Sequence, residues 1–281
     1  MTDRYKYNRE GYLNESFRLF HLRDTAGQER DFHFHEFDKL VILLSGRVNY
    51  LVEGMDYALK PWDVLFVRHH MIHKATIDVT EPYERIIIYI EPSFPDRFAP
   101  ECGLTDRFTA GERGSTCLVR PGSDSVPLLR ECLERLEGVT GDTGFGAELL
   151  RGSRLIELMV LVNRIAQRGE SGSLDGTEHN EKLSAVLSYI NENLTKELTV
   201  DELAAMSYLS RYHFMRVFKA QTGCTVHSYI RQKRLVLAAR LIRDGMTAQN
   251  AAAECGFSDY SAFHRAFTSA FGVSPGKFKG T

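Results

Sequence analysis

From residue 181 onward, apolar positions recur at helical spacing, beginning with Leu183, Val186, Leu187 and Ile190 on one stripe. Residues 198–223 then predict two helices. Thr199, with Glu202 three residues on, makes a capping box for a short first helix. Residues 206–209 read as a turn. Ser210 caps a second helix that carries Phe214, Val217 and Phe218 on one side, and Gly223 closes it. The run 226–244 follows, with Tyr229, Ile230, Leu235, Ala238, Ala239, Leu241 and Ile242 at helical spacing and Gly245 as its stop. The two-helix pattern then returns. Thr247 starts a short helix, Gly256-Phe257 makes the turn, and Ser258 is the expected cap of a helix bearing Phe263, Phe267 and Phe271 four apart. Gly272 ends it and Pro275 forbids its continuation. Two helix-turn-helix units joined by a long helix are therefore expected. At about 1.5 Å per residue the connecting run is roughly 28 Å long, against about 34 Å for one turn of B-DNA. That length suits two reading helices in successive major grooves on one DNA face.

Between residues 32 and 91 the period changes to two. Residues 40–44 are a buried run and Gly46 a turn. Val48, Tyr50 and Val52 alternate, Gly54 turns again, and Tyr57 and Leu59 follow. Pro61 precedes the run 64–67, then come 73–77 and a closing strand 83–90. Short strands at this spacing predict a β-sandwich or barrel. Phe17, Leu19 and His21 alternate with Arg18 and Phe20, so a strand can begin there; the residues before it read as a mobile arm or a disordered start. Residues 92–124 are irregular. Residues 126–136 and 147–168 read as two antiparallel helices across a short connection, and 169–180 (GESGSLDGTEHN) as a flexible linker. The domains expected are a barrel at 1–122, a helical pair at 123–168, the linker at 169–180 and an all-α domain at 181–281.

The chain of 281 residues carries a net charge of −2, but unevenly. Residues 181–281 hold 13 Lys and Arg against 8 Asp and Glu, a basic module on an acidic body. That balance fits phosphate contact by one end only. Five widely spaced cysteines without a CxxC read as reduced thiols, and the N-terminus has no apolar leader. No apolar run spans a bilayer. A cytoplasmic protein without membrane contact is expected.

These residues carry a resemblance. The segment 210–223, Tyr229-Ile230 with Arg234 and Ala238, Gly256-Phe257, Ser261, Phe263, Arg265, Phe267 and 272–275 (GVSP) resemble the DNA-binding domain of the AraC/XylS family of bacterial transcription regulators. Where that family usually has Ile-type residues, this chain has Ala248 and Ala251, so looser packing of the second scaffold helix is expected. The barrel resembles a cupin, a small jelly roll, through His33-Phe34-His35, the Gly46 turn, Pro61-Trp62-Asp63, His73 and Tyr83-Glu84-Arg85. The resemblance implies a ligand-responsive regulator in which the barrel senses a small molecule, the helical pair forms a homodimer, and the two reading helices contact double-stranded DNA. It implies contact with RNA polymerase as well, and neither a cofactor nor enzyme activity. Carried over from the family motif, the first reading helix offers Arg211, Tyr212, Met215 and Arg216; the second offers Tyr260, Ser261, Ala262 and Arg265.

The barrel's candidate chemistry is His33, His35, Lys39, Trp62, His73, Tyr83 and Arg85, with Tyr50 and Tyr89 beside them. Aromatic rings with a few donors suit a sugar or a sugar acid. His33 and His35, two apart on a strand, point the same way, and His73 can approach from another strand. Three imidazoles suit a transition metal, but metal-binding cupins usually place a carboxylate where this chain has Lys39, so no metal is expected. The same histidines also suit a plain core. Two other readings differ in class: an inert barrel controlled by a protein partner, and a metal-dependent cupin enzyme fused to a DNA-binding domain.

Overall fold

The computed structural model describes residues 8–9, 13, 15–24, 32–69, 71–98, 100–106, 108, 117–169 and 181–278. The expected N-terminal arm falls almost wholly outside the described residues, and so does the expected linker beyond Gly169. Contacts group the chain into two compact units, residues 10–31 with 35–179, and residues 180–281 with the stretches 1–9 and 32–34.

Among the described residues, one sheet of the barrel unit runs in the order β8 (His73–Ile77), β5 (Val48–Val52), β6 (Met55–Leu59), while β1 (Asn8–Arg9) and β3 (His33–Phe34) pair in parallel within the other unit. The second sheet has the order β10 (Leu118–Val119), β7 (Val64–Val67), β4 (Asp38–Ser45), β9 (Tyr83–Ile90), β2 (Phe17–Asp24). β4 runs antiparallel to both β7 and β9.

The strands β4, β7 and β9 of the second sheet are buried on both faces, which explains their continuous apolar runs. Val41, Leu43, Leu65, Val67 and Tyr83 face Val48, Tyr50, Val52, Tyr57 and Leu59 of the first sheet in one core. The alternate residues Leu40, Ile42, Val64, Phe66, Ile86, Ile88 and Ile90 point the other way. There they meet Leu129, Leu133 and Leu136 of α2 (Ser125–Glu137), and Leu155, Leu158 and Val162 of α3 (Ala147–Gln167); α1 (Phe94–Phe98) adds Phe94. The helical pair thus shares a core with the barrel's outer face rather than standing as a separate layer. Gly46, at φ +89°, makes the β4–β5 turn; a Cβ there would lie 2.7 Å from the Pro82 carbonyl oxygen. The Pro61-Trp62-Asp63 turn is pinned by Arg120, whose Nη2 donates to Asp63 Oδ2 at 2.8 Å.

The C-terminal unit opens with α4 (Glu181–Glu192), followed by α5 (Val200–Met206), α6 (Arg211–Thr222), α7 (Val226–Arg243), α8 (Ala248–Glu254) and α9 (Tyr260–Phe271). The repeat is regular: helices of 7 and 12 residues occur in each copy. The Thr199–Glu202 capping box is complete. Ser210 and Thr247 accept from His213 N and Asn250 N as N-caps. The fourth cap differs from expectation. Asp259, not Ser258, accepts from Ser261 N at 2.8 Å, because a carboxylate one residue later reaches the free amides with extended backbone.

One face of α7 serves α6, where the Tyr229 ring stands edge-on to Phe218 at 5.5 Å. Another serves α8 and α9 through Leu235, Ala238 and Ala239. Ala251 is fully buried in one cluster with the rings of α9, and Phe278 closes on Phe267 and Phe271. Arg234 ties the unit together: Nε donates to the Leu194 carbonyl (2.8 Å), Nη1 to Gly256 (3.1 Å) and Nη2 to Lys196 (2.6 Å).

Phe267 is fully buried among Phe263, Phe271 and Phe278. Phe267→Ala should destabilise the C-terminal unit by about 3–5 kcal/mol. Urea denaturation followed by circular dichroism measures this, with the transition of the barrel unit as the internal control.

Candidate effector and DNA-binding sites

The two reading helices present matching faces. In α6 the buried stripe is Phe214 and Phe218, which leaves Arg211, Tyr212 and Arg216 exposed and Met215 half-buried. In α9 the stripe is Phe263, Phe267 and Phe271, which leaves Tyr260, Ser261, Ala262 and Arg265 exposed. Each set lies in the first half of its helix, just after the cap. Arg216 and Arg265 make no ion pair or hydrogen bond among the described residues, so both forks are available to an incoming acceptor. Arg211 differs, since its Nη1 pairs with Asp201 Oδ2 on α5 at 2.8 Å. Tyr212 is 85% exposed, which is unusual for an aromatic ring that serves only packing. Met215 lines an apolar groove of about 370 Å³ with Val200, Tyr212 and Val226, which no local pattern marks.

The barrel interior gathers most of the other candidates. Directly opposed residues share a face of a sheet. Lys39 lies opposite Val67 and Tyr89, Arg85 opposite Leu43, and His73 opposite Val52. All three therefore face the interior with Tyr50 and Tyr83. The Lys39 ammonium stands 5.6 Å from the Tyr50 ring centroid, and the Arg85 guanidinium 4.4 Å from that of Tyr83. Arg85 also pairs with Asp24 at 2.5 Å, a partner at the far end of β2 that no sequence spacing pointed to. His35 packs against Phe37, Tyr89 and His73, whereas His33 is buried on β3 in the other unit. Phe37 was not singled out from the sequence.

Trp62 is not part of this group. It takes a left-handed backbone at φ 73° in its turn and packs on the outer core, with Arg130 4.7 Å from its ring. A tight turn reverses the side-chain alternation of the strands that flank it, so strand reasoning assigns Trp62 to the wrong side. Outside the barrel, a cleft of about 1060 Å³ lies between β2, α1 and the start of α3, lined by Phe17, Leu19, Phe94, Phe98, Arg97 and Arg151. It depends on contacts that no local pattern encodes.

Burial pushes the Tyr50 phenol well above its usual range, and the neighbouring Tyr83 phenol adds to the effect; burial likewise raises Tyr83. The thiols of Cys117 and Cys255 are pushed up by burial to about 12 and about 11. All five cysteines are free, in line with the reduced thiols expected.

A sheet-built sensor domain joined to a doubled helix-turn-helix unit defines a DNA-binding transcription regulator with a ligand-binding domain. The comparisons name the family. Residues 19–159 match the AraC-like ligand binding domain and residues 203–281 match a helix-turn-helix domain. The chain belongs to the AraC family of transcription regulators. It is 26% identical over 267 residues to the probable transcriptional regulator LumQ of Photobacterium leiognathi, covering 94% of this chain and 96% of that one. It is 25% identical over 249 residues to the transcriptional activator RhaS of Klebsiella pneumoniae, covering 86% and 85%. A solved structure of ToxT from Vibrio cholerae with an unsaturated fatty acid bound aligns over 95% of each chain at 12% identity and a TM-score of 0.39, a distance at which it assigns no ligand. Among the described residues no helix is long and apolar enough to cross a membrane.

The raised phenols predict an alkaline limit. Tyr50 and Tyr83 stay neutral in the folded barrel but ionise near pH 10 when unfolded. Their contribution to stability is intact below about pH 10 and is lost as pH rises toward the raised native values. Tyr50→Phe should move the alkaline unfolding midpoint upward relative to its own stability at neutral pH, as read by circular dichroism across a pH series.

Proposed function

We propose that the chain reads a bipartite operator through α6 and α9, and that a small metabolite in the barrel interior controls this binding. One observation carries the DNA half: two copies of the same capped two-helix unit, each exposing an uncommitted guanidinium, Arg216 and Arg265, on its reading face. A guanidinium bonds a guanine edge or a phosphate in a forked way. Tyr212, Met215, Tyr260, Ser261 and Ala262 complete the contact surface, with Met215 and Ala262 suited to thymine methyls. Arg211, held by Asp201, contributes a phosphate contact once that exposed pair opens.

The interior group supports the effector half. Lys39, Arg85, Tyr83, His35 and His73 supply donors between aromatic walls, an arrangement suited to a hydroxyl-rich or carboxylated metabolite such as a sugar or a sugar acid. Exposed Leu128 on α2, Phe145 in the connection and Leu149 at the start of α3 support pairing of two chains through the helical pair. A regulator without enzyme activity, working in the cytoplasm alongside RNA polymerase, completes this reading.

Two measurements test it. In fluorescence anisotropy with a selected operator, Arg265→Ala should cost roughly 1–3 kcal/mol at one base position if it reads a base. An equal loss on every sequence with a shallower salt slope identifies a phosphate contact, and unchanged binding removes Arg265 from the interface. For the effector, the melting point of the full chain is followed against sugars, sugar acids and amines. A ligand that binds the folded barrel raises it by mass action, and Lys39→Ala should abolish the shift.

A further inference from the structure

The apolar groove beside α6 has a chemistry that contact with DNA leaves unused. One wall is a single stripe of that helix: Tyr212, Met215, Arg216 and Lys219 recur at helical spacing. The rest of the apolar lining comes from the first residues of two other helices, Val200 of α5 and Val226 of α7. Caps hold both in place. Val200 follows the Thr199–Glu202 box, and Thr225, just before Val226, accepts from Ser228 N at 3.2 Å. Val200 and Val226 are only 4% and 2% exposed, so they form a recessed floor.

The edge of the groove is basic. Arg216, Lys219 and His227 line it and are exposed, and among the described residues no aspartate or glutamate lines it. Arg211, on the same helix, is answered by Asp201, but the groove itself holds no such answering charge. Valine and methionine give a phosphate or a base edge no donor to bond, whereas an apolar body gains by covering them. The volume of about 370 Å³ falls within the range of small-molecule sites.

We propose that this groove binds a small carboxylic acid with an aromatic or short aliphatic body. The body lies on Val200, Met215 and Val226, with the Tyr212 ring beside it. The carboxylate accepts charge-assisted hydrogen bonds from Arg216 and Lys219, and the His227 ring supplies a further donor at the same edge. Tyr212, Met215 and Arg216 also belong to the reading face of α6 proposed above. A bound acid therefore withdraws Arg216 from its base or phosphate and competes with DNA directly, as a control separate from the barrel. The competition rests on that reading; the binding site does not.

The test uses the full chain labelled with carbon-13 at its methionine methyl groups. Phenylbutyrate is the probe and phenylbutyramide its uncharged counterpart, and Met215→Leu identifies the Met215 signal. Phenylbutyrate should shift that signal to saturation and leave those of Met55 and Met71 in the barrel unmoved. The amide should bind about tenfold more weakly, having lost the charge-assisted contacts. Lys219→Gln, an exposed change, should weaken the acid severalfold and leave the amide unchanged. If circular dichroism shows that variant misfolded, salt decides on the wild type: the acid's affinity should fall as ionic strength rises and the amide's should not. An unmoved Met215 signal, equal affinity for acid and amide, or shifts confined to Met55 and Met71 would overturn the site. Operator binding by fluorescence anisotropy is the separate readout, and the acid should weaken it in proportion to its occupancy of the groove. A Met215 shift with undiminished operator binding would overturn the competition and the reading face of α6, while the acid site stands.

Discussion

The ladder between β4 and β9 is the constraint on which the N-terminal unit depends. Both strands are buried on both faces, yet the two faces have opposite character. Leu40, Ile42, Ile86, Ile88 and Ile90 meet the helices, whereas Lys39, Arg85 and Tyr89 face inward. A slip of one residue would exchange every side chain across the sheet. It would drive an ammonium and a guanidinium into the aliphatic layer under α2 and α3, and would turn isoleucines into the barrel. The same alternation that builds the core therefore places the chemistry, and the irregularity between Leu43 and Ser45 falls only after the functional stretch has been paired.

The C-terminal unit is governed by sharing. α7 is the common wall of both helix-turn-helix copies, with Tyr229 toward the first and Leu235, Ala238 and Ala239 toward the second. Small residues on α7 and α8 allow the aromatic column of α9 to sit close. Each reading helix is thus fixed from behind by rings, so its outward face owes little to the core and is available for contacts outside the protein.

Much of this was legible in the sequence because it is local. Caps, turns and apolar stripes depend on residues three or four apart, and Thr199, Ser210, Thr247 and Gly223 act as their spacing implied. Ser258 failed because two neighbouring residues can each cap a helix, and backbone conformation chose Asp259. In the barrel, strand alternation found the inward side of Tyr83, Arg85 and Tyr89. It could not find Asp24, which reaches Arg85 from another strand, nor the turned-out Trp62. The approach of His73 to His35 from another strand was anticipated, but the stacking of Phe37 on His35 was not, because no spacing rule marks it.

Arg234 joins parts of the C-terminal unit that are far apart in the chain. One guanidinium bonds the carbonyls of Leu194 and Lys196 after α4, and that of Gly256 in the turn before the second reading helix. A Cβ on residue 256 would come within 3.0 Å of its central carbon. The turn of the second helix-turn-helix copy is therefore tied to the connecting helix. On the reading proposed above, this tie gives α6 and α9 a set spacing and phase along the duplex, to which operators conform by their spacing or by bending.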